Sequence, residues 1–249
     1  MPRVGTEVPT LNPGRLAAVR VLMAVEKGAH ADLKLNELAP ASGLDRSLSW
    51  HLALGVLRRQ GCLDPGIQSK LRGRGLDALD PPIRAALRVG LFEIWFSNTP
   101  PHAAVDQAVR ACRASGGARG SGLVNAVLRK LTKTEPVPGP NGELPLWLWE
   151  RWSAWPEWVS SLAEPAPLQG VWNGNRRAQL AVENLSVDRG TFQLPPGAGK
   201  VSEMPGFASG DWWVMDSGSV RCADTLSDAL KPGSRVLDCC AAPGGKSMR

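Results

Sequence analysis

The chain has 249 residues, 43% of them hydrophobic and 21% charged, with a formal net charge of +6. That is the composition of a folded soluble protein with one large domain or two to three small ones, not of a disordered or fibrous chain. No run of about 18 apolar residues offers a transmembrane helix, residues 1–15 lack the apolar stretch of a signal peptide, and five cysteines without a CxxC spacing or a His/Cys cluster speak against a disulfide framework and against a zinc site. A cytoplasmic protein with reduced thiols, no metal and no membrane partner is expected. Charge is unevenly placed: residues 1–134 carry a net +9 and residues 135–249 a net −3, while eight of the ten Trp lie between 147 and 213. A basic first half suits an anionic partner, although surface arginines serve solubility equally well.

The first 134 residues read as a string of helices. Asn12-Pro13 is an N-cap followed by Pro at the first helical position, and Leu16, Val19, Leu22 and Met23 continue at helical spacing to Gly28. A short helical segment lies around 33–38. A further helix opens at Asp45, buries Leu48, Leu52 and Val56, and is expected to stop at Gly61. Asp80-Pro81-Pro82 starts the next, with Ile83, Leu87, Leu91, Ile94 and Trp95 on one stripe. Pro100-Pro101 starts another, carrying Val105, Ala108, Val109 and Cys112. The last follows the Gly-rich turn 116–122 and carries Leu123, Val124, Val127, Leu128 and Leu131. Each stripe leaves an Arg-bearing face opposite, which predicts a helical bundle with a basic exterior.

Residues 134–146 are crowded with Pro and Gly and read as a linker. The Trp-rich stretch 147–163 predicts a short helix or pair of helices broken near Pro156. Packing is its expected use rather than base stacking, because single-strand platforms sit on sheets or in clefts. Strand-like pieces at 168–172, 190–194 and 211–215, with a helix at 177–185, predict a small α/β unit. A helix at 219–230 follows, and Ser234-Arg-Val-Leu-Asp-Cys-Cys240 reads as a buried strand.

That strand runs directly into Ala241-Ala-Pro-Gly-Gly-Lys246-Ser247. A strand entering a Gly-rich loop is where α/β folds bind nucleotides, since Gly allows close backbone approach and the next helix N-terminus offers free N–H groups. A P-loop requires Gly where this chain has Cys240, and the loop does not match G-x-G-x-x-G. A loop for S-adenosylmethionine remains, as does an ordinary tight turn, although six successive special residues exceed what a turn requires.

Leu237-Asp-Cys-Cys-Ala-Ala-Pro-Gly-Gly-Lys-Ser247 resembles the first S-adenosylmethionine motif of the RNA cytosine-C5 methyltransferases, whose pattern is close to LDxCAAPGGKT. Gly55-Val-Leu-Arg58, Ile83-Arg-Ala-Ala-Leu-Arg88, Gly90-Leu-Phe-Glu93, Pro101-His-Ala-Ala-Val105, Ala108-Val109 and Leu123-Val-Asn-Ala-Val-Leu-Arg129 resemble the NusB-type RNA-binding domain. In this order the two are similar to the bacterial 16S rRNA cytosine-C5 methyltransferases that carry a NusB-like domain. The match is strong in 50–131 and 235–247 and weak in the Trp-rich middle; Met215-Asp-Ser-Gly-Ser219 matches the family's Gln-Asp-x-x-Ser-like run only in part.

The resemblance implies a mainly α fold: a NusB-like helical bundle at 12–133, the linker 134–146, a connecting α/β segment at 147–215, and at 216–249 the first strand and loop of a Rossmann-like methyltransferase domain. It implies S-adenosyl-L-methionine as cofactor, held by Cys240, Ala241, Ala242, Pro243, Gly244, Gly245 and Lys246, and 16S rRNA as partner. In the family a Cys thiolate attacks C6 of a flipped-out cytosine, C5 takes the methyl group, and a second Cys helps remove the C5 proton. Those cysteines stand in a Pro-Cys and a Thr-Cys motif, and neither occurs in these 249 residues. The chain therefore reads as cut inside its catalytic domain, with no catalytic residue assigned, no methylation by itself and poor cofactor binding expected. A parallel strand without neighbours predicts that 234–249 is frayed.

Among the cysteines, the resemblance places Cys240 against the cofactor and Cys239 on the opposite side of the strand; Cys112 falls on a core stripe, Cys62 follows a helix stop, and the facing of Cys222 is left open. His102 is expected to cap a helix, and His30 and His51 have no partner at ligand spacing. Asn125 is expected as a buried structural group rather than an RNA contact. Arg58, Arg59, Arg129 and Lys130 make a candidate phosphate-binding face, although helix dipoles would also attract them. The alternatives are a non-enzymatic NusB-type RNA-binding or antitermination module and, disfavoured by Cys240, a P-loop ATPase.

Overall fold

The computed structural model describes residues 10–41, 43–136, 143–162, 164–174, 190–195, 199–227, 230–231 and 233–248. They fall into two compact units, Met1–Glu164 and Pro165–Arg249.

The first unit is the expected bundle. Helix α1 (Pro13–Val25) starts where Asn12 accepts the Arg15 N–H on its side chain and Pro13 supplies the first helical position. It is followed by α2 (Ala31–Leu38), α3 (Gly43–Gln68), a 3-10 turn at Leu76–Ala78, α4 (Pro81–Phe96), α5 (Pro101–Ala114) and α6 (Ser121–Leu131). Their apolar stripes meet in one core that includes Val19, Leu22, Leu52, Val56, Leu87, Leu91, Val105, Val124 and Leu128. Gly90 is one of the close-approach points: a Cβ there would stand 2.5 Å from Leu128 Cδ1 and 2.8 Å from the Ala108 Cβ.

The expected stop of α3 at Gly61 is corrected. The helix runs on through Gly61 and Pro65 to Gln68 because Cys62, Leu63 and Ile67 are buried against the bundle. Burying three such side chains outweighs the ~1 kcal/mol that a mid-helix Gly costs and offsets the bond that Pro removes. His102 is not a cap: it is exposed inside α5, and no side chain caps that helix.

Two buried ion-pair systems hold the helices together. The Arg15 guanidinium from α1 forks onto Glu93 of α4, at 2.6 Å through Nη2 and 3.0 Å through Nε, and the Thr99 hydroxyl donates to the same carboxylate at 3.1 Å. Arg88 of α4 binds Asp64 of α3 at 2.7 and 2.8 Å and Glu26, just past α1, at 2.6 Å, while Arg84 takes the other oxygen of Glu26 at 2.8 Å. Burial opposes ionisation of Glu26, but the Arg84 hydrogen bond and the Arg84 and Arg88 charges outweigh it and hold the carboxyl below its usual range.

Residues 137–142 of the expected linker lie outside the described residues, but its flanks are tethered to the bundle. The Trp95 indole N–H donates to the Thr134 carbonyl at 2.8 Å, and Glu143 accepts the Cys62 N–H at 3.0 Å beside Arg59 at 3.5 Å. Burial pushes the Glu143 carboxyl up despite Arg59. The Trp-rich stretch forms α7 (Leu146–Trp152) and α8 (Pro156–Ser161), broken at Pro156 as expected. Both belong to the first compact unit, which ends at Glu164. Trp152 and Trp158 pack edge to face at 4.7 Å, whereas Trp147 is 65% and Trp155 60% exposed, so packing accounts for only part of this cluster.

The second unit contains β1 (Gln169–Trp172), β2 (Thr191–Gln193), β3 (Trp212–Val214) and α9 (Ser217–Ser227). The sheet is antiparallel in the order β2-β1-β3, with Gly170 opposite Phe192 on one side and Val214 on the other. The helix expected at 177–185 lies outside the described residues. One face packs Phe192, Leu194 and Trp212; a second cluster joins Val171 and Met215 to Val220 of α9. Asp216 caps α9 by accepting the Ser219 N–H at 2.8 Å and its hydroxyl at 2.7 Å, so the Asp-x-x-Ser run is a capping motif here.

The buried strand expected at 234–240 is not formed. Its described residues run as turns and irregular backbone, with Val236 53% and Leu237 84% exposed. A lone strand has no ladder to satisfy its backbone and no sheet face to bury its apolar side chains.

Candidate functional site

The Gly-rich loop closes on itself. Asp238 accepts the Cys240 N–H on Oδ1 at 2.9 Å and the Ser247 hydroxyl on Oδ2, and the Met248 N–H donates to the Gly244 carbonyl at 3.0 Å. The Ser247 hydroxyl first, then the Cys240 amide and the Lys246 charge, hold the Asp238 carboxyl below its usual range. Gly244 has φ +105°, a backbone that a side chain would strain. Gly245 lies over Trp213 and Met215, and the buried Trp213 indole N–H has no hydrogen-bond partner among the described residues.

Between this loop and α9 lies a cavity of about 520 Å³, within the usual range of small-molecule sites. Leu226, Leu237 and Cys222 line its apolar side, and Asp238, Lys246 and Ser247 its polar side. The structure brings Cys240 and Lys246 of the expected cofactor set to this wall, while Ala241, Ala242 and Pro243 are exposed on the outer run of the loop and Gly244 and Gly245 form its turn. A size that admits a nucleoside, apolar walls for a base, and charged groups of both signs for an amino-acid tail fit S-adenosylmethionine. The Asp238–Ser247 clasp and the Trp213 N–H were not anticipated; only the Leu-Asp and terminal Ser of the motif signal the clasp.

The cysteines sort by burial. Cys62 and Cys112 are core, and burial pushes the Cys112 thiol up, away from a reactive thiolate. Cys222, Cys239 and Cys240 are exposed and line the cavity beside α9 together.

On the bundle, the four proposed phosphate contacts differ. Arg129 and Lys130 are exposed in the last turn of α6, and Arg58 is half-buried on α3. Arg59 is engaged: it pairs with Glu143 and Glu164 and lies 4.8 Å over the Phe96 ring. Asn125 is half-buried, with no side-chain hydrogen bond among the described residues, so the buried structural role expected for it is absent. No expectation attached to Lys70, Arg72 and Arg74, although three cations within five residues after a helix end are a visible signal.

Residues 12–133 match the model of the NusB family. Over 94% of its length, the 12–133 region included, the chain is 34% identical to the ribosomal RNA small subunit methyltransferase B of Xanthomonas campestris pv. campestris, of which it covers 57%. Against the protein of the same name from Pseudomonas syringae pv. tomato, 95% of the chain is 34% identical and covers 58%. The chain thus spans somewhat over half the length of the curated relatives it matches, and its similarity to them runs through both the 12–133 region and the residues after it. Among solved structures, the crystal structure of PH0851 matches 98% of the chain and 61% of its own, with a TM-score of 0.57 at 17% identity, a likeness of fold. Among the described residues no helix is long and apolar enough to cross a membrane, and no cluster of His, Cys, Asp and Glu is arranged to hold a metal ion.

Proposed function

We propose that the NusB-family bundle docks on 16S rRNA and that residues 238–247 form one wall of the S-adenosylmethionine site of an enzyme methylating C5 of a cytosine, in the cytoplasm. The observation that carries this reading is the joint presence, in one chain, of a NusB-family domain and a clasped Gly-rich loop beside a nucleoside-sized cavity. Bound there, the cofactor supplies an electrophilic methyl group. The chain's own residues bind and orient: the Cys240–Lys246 backbone offers amides, Lys246 and Asp238 offer opposite charges to a zwitterionic tail, and Leu226 and Leu237 exclude water from one face. A non-enzymatic NusB-type RNA-binding or antitermination module is the second reading, favoured by the match at 12–133 alone; such a module has no use for the clasped loop.

Two measurements test the proposal. Anisotropy titrations of the chain with 16S rRNA fragments are expected to lose at least about a hundredfold in affinity between roughly 50 and 200 mM salt, the response of four or more neutralised phosphates. A flat salt response overturns the RNA-docking reading. Calorimetry with S-adenosylmethionine is expected to give a Kd weaker than about 100 μM, a binding free energy below ~5.5 kcal/mol, because Val236 and Leu237 lie unpaired at the surface. Sub-micromolar binding would contradict that weakness and show that the loop needs no strand neighbours.

A further inference from the structure

The connection from α3 to α4 carries Lys70, Arg72 and Arg74 within five residues, and its shape is held from inside. Gln68, the last residue of α3, donates Nε2–H to the Arg74 carbonyl at 3.1 Å and accepts the Leu76 N–H on Oε1 at 2.8 Å, so one side chain straps both ends of the loop. Arg84 donates to the carbonyls of Asp77 and Leu79 and fixes the rest of the connection to α4. Gly73 takes φ +68°, and the space beside Gly73 and Gly75 where side chains would project is open. Arg72 and Arg74 are exposed and Lys70 half-exposed, and none of these three side chains has an ion pair or hydrogen bond among the described residues.

The surrounding charges leave this loop positive. The nearby carboxylates Glu26 and Asp64 are already neutralised by Arg84 and Arg88. Lys27, next to Glu26, adds an exposed cation; Asp77 and Asp80 are the opposing charges. Elsewhere the candidate cations are less available: Arg59 is paired, and Arg129 and Lys130 already sit at the negative end of α6. Two guanidiniums separated by a glycine suit phosphate oxygens, which they grip through paired N–H groups. Leu71 is the loop's one large apolar residue and is half-buried, so the loop lacks the exposed apolar anchor that a protein partner would use.

We infer that this strapped loop is the principal phosphate-docking element of the bundle and that its partner is the backbone of structured RNA, gripped by charge without base readout. The inference rests on the RNA-docking reading above and names the surface that performs it.

The test compares three variants of the full chain on a labelled RNA hairpin of about 30 base pairs, across roughly 50–200 mM salt. Lys70→Ala/Arg72→Ala/Arg74→Ala is expected to lower affinity by about tenfold or more near 0.1 M salt and to reduce the salt slope by two to three, about one per lost contact, with an unchanged melting temperature. Arg129→Ala/Lys130→Ala/Lys133→Ala is expected to change the slope less. Gln68→Leu keeps every charge but releases the strap, and a loss of a few-fold in affinity at the wild-type slope is expected. RNA binding by the wild type together with a wild-type slope in the loop variant overturns the inference and leaves the RNA-docking reading intact. No RNA binding by the wild type overturns both. Equal binding of polyglutamate and RNA by the wild type marks a general polyanion surface and overturns the assignment to RNA.

Discussion

Arg88→Ala is expected to lower the melting temperature of the bundle by roughly 10–15 °C, the counterpart of about 3–5 kcal/mol in a domain of this size. The Arg88 side chain is only 7% exposed and serves two carboxylates from different elements, Asp64 on α3 and Glu26 beyond α1. Truncation leaves both acids half-buried; Arg84 still reaches Glu26, but Asp64 keeps only the neutral Gln60 amide, at 3.2 Å, in place of its two bonds to the guanidinium. Most of the loss comes from stranding those charges rather than from the pair's net attraction, so Arg88→Met/Asp64→Leu is expected to recover part of it. The pH dependence has a fixed sign. Because the Glu26 carboxyl is held below its usual range in the fold, its contribution is fully present above the ordinary glutamate range and fades as pH falls below it. The acid arm of the wild-type stability curve is therefore expected to be steeper than that of Arg88→Ala. A thermal shift under 2 °C for Arg88→Ala, read by circular dichroism at neutral pH, would refute the structural weight given to this network.

Trp212→Ala is expected to unfold the second unit while leaving the bundle folded. Trp212 is 1% exposed, meets Phe192 and Phe207 edge to face at 5.3 and 5.1 Å, and donates its indole N–H to the Pro205 carbonyl at 2.9 Å. The layer rests on Gly170, where a Cβ would come within 2.5 Å of the Phe192 ring and 2.9 Å of Trp212. Removing a buried Trp costs about 3–5 kcal/mol, and a three-stranded sheet with two small clusters has little more than that to lose. The bundle core is built from its own helices and is unaffected. Limited proteolysis is the direct measurement: cuts within 165–248 and a surviving fragment over the bundle are expected, and a wild-type digestion pattern would contradict the role given to Trp212.

Much of the bundle was legible in the residues. Asn12-Pro13, Asp80-Pro81 and Pro100-Pro101 mark the starts of α1, α4 and α5 because capping geometry and the fixed φ of Pro act within a few residues. Cys112 was readable as core from its place on a helical stripe. The end of α3 was not readable, because Gly61 and Pro65 are local stop signals overruled by burial of Leu63 and Ile67 against helices distant in the chain. The loop at 238–247 was legible as a motif but not as a shape: the Asp238–Ser247 clasp spans nine residues and depends on a fold-back that composition does not encode.

The basic surface divides along the same line. Sequence alone determined that residues 1–134 carry a surplus of +9 and that they fold largely as helices. Only the tertiary structure decided which of those arginines remain available to a partner. Arg15 and Arg88 are consumed inside the bundle by Glu93 and Asp64, 78 and 24 residues away, and Arg59 by Glu164, 105 residues away, whereas Arg72 and Arg74 are held outward by a Gln68 strap. Helix formation answers to neighbours within a turn or two, but the pairing of a charge answers to whatever the fold brings within about 4 Å of it.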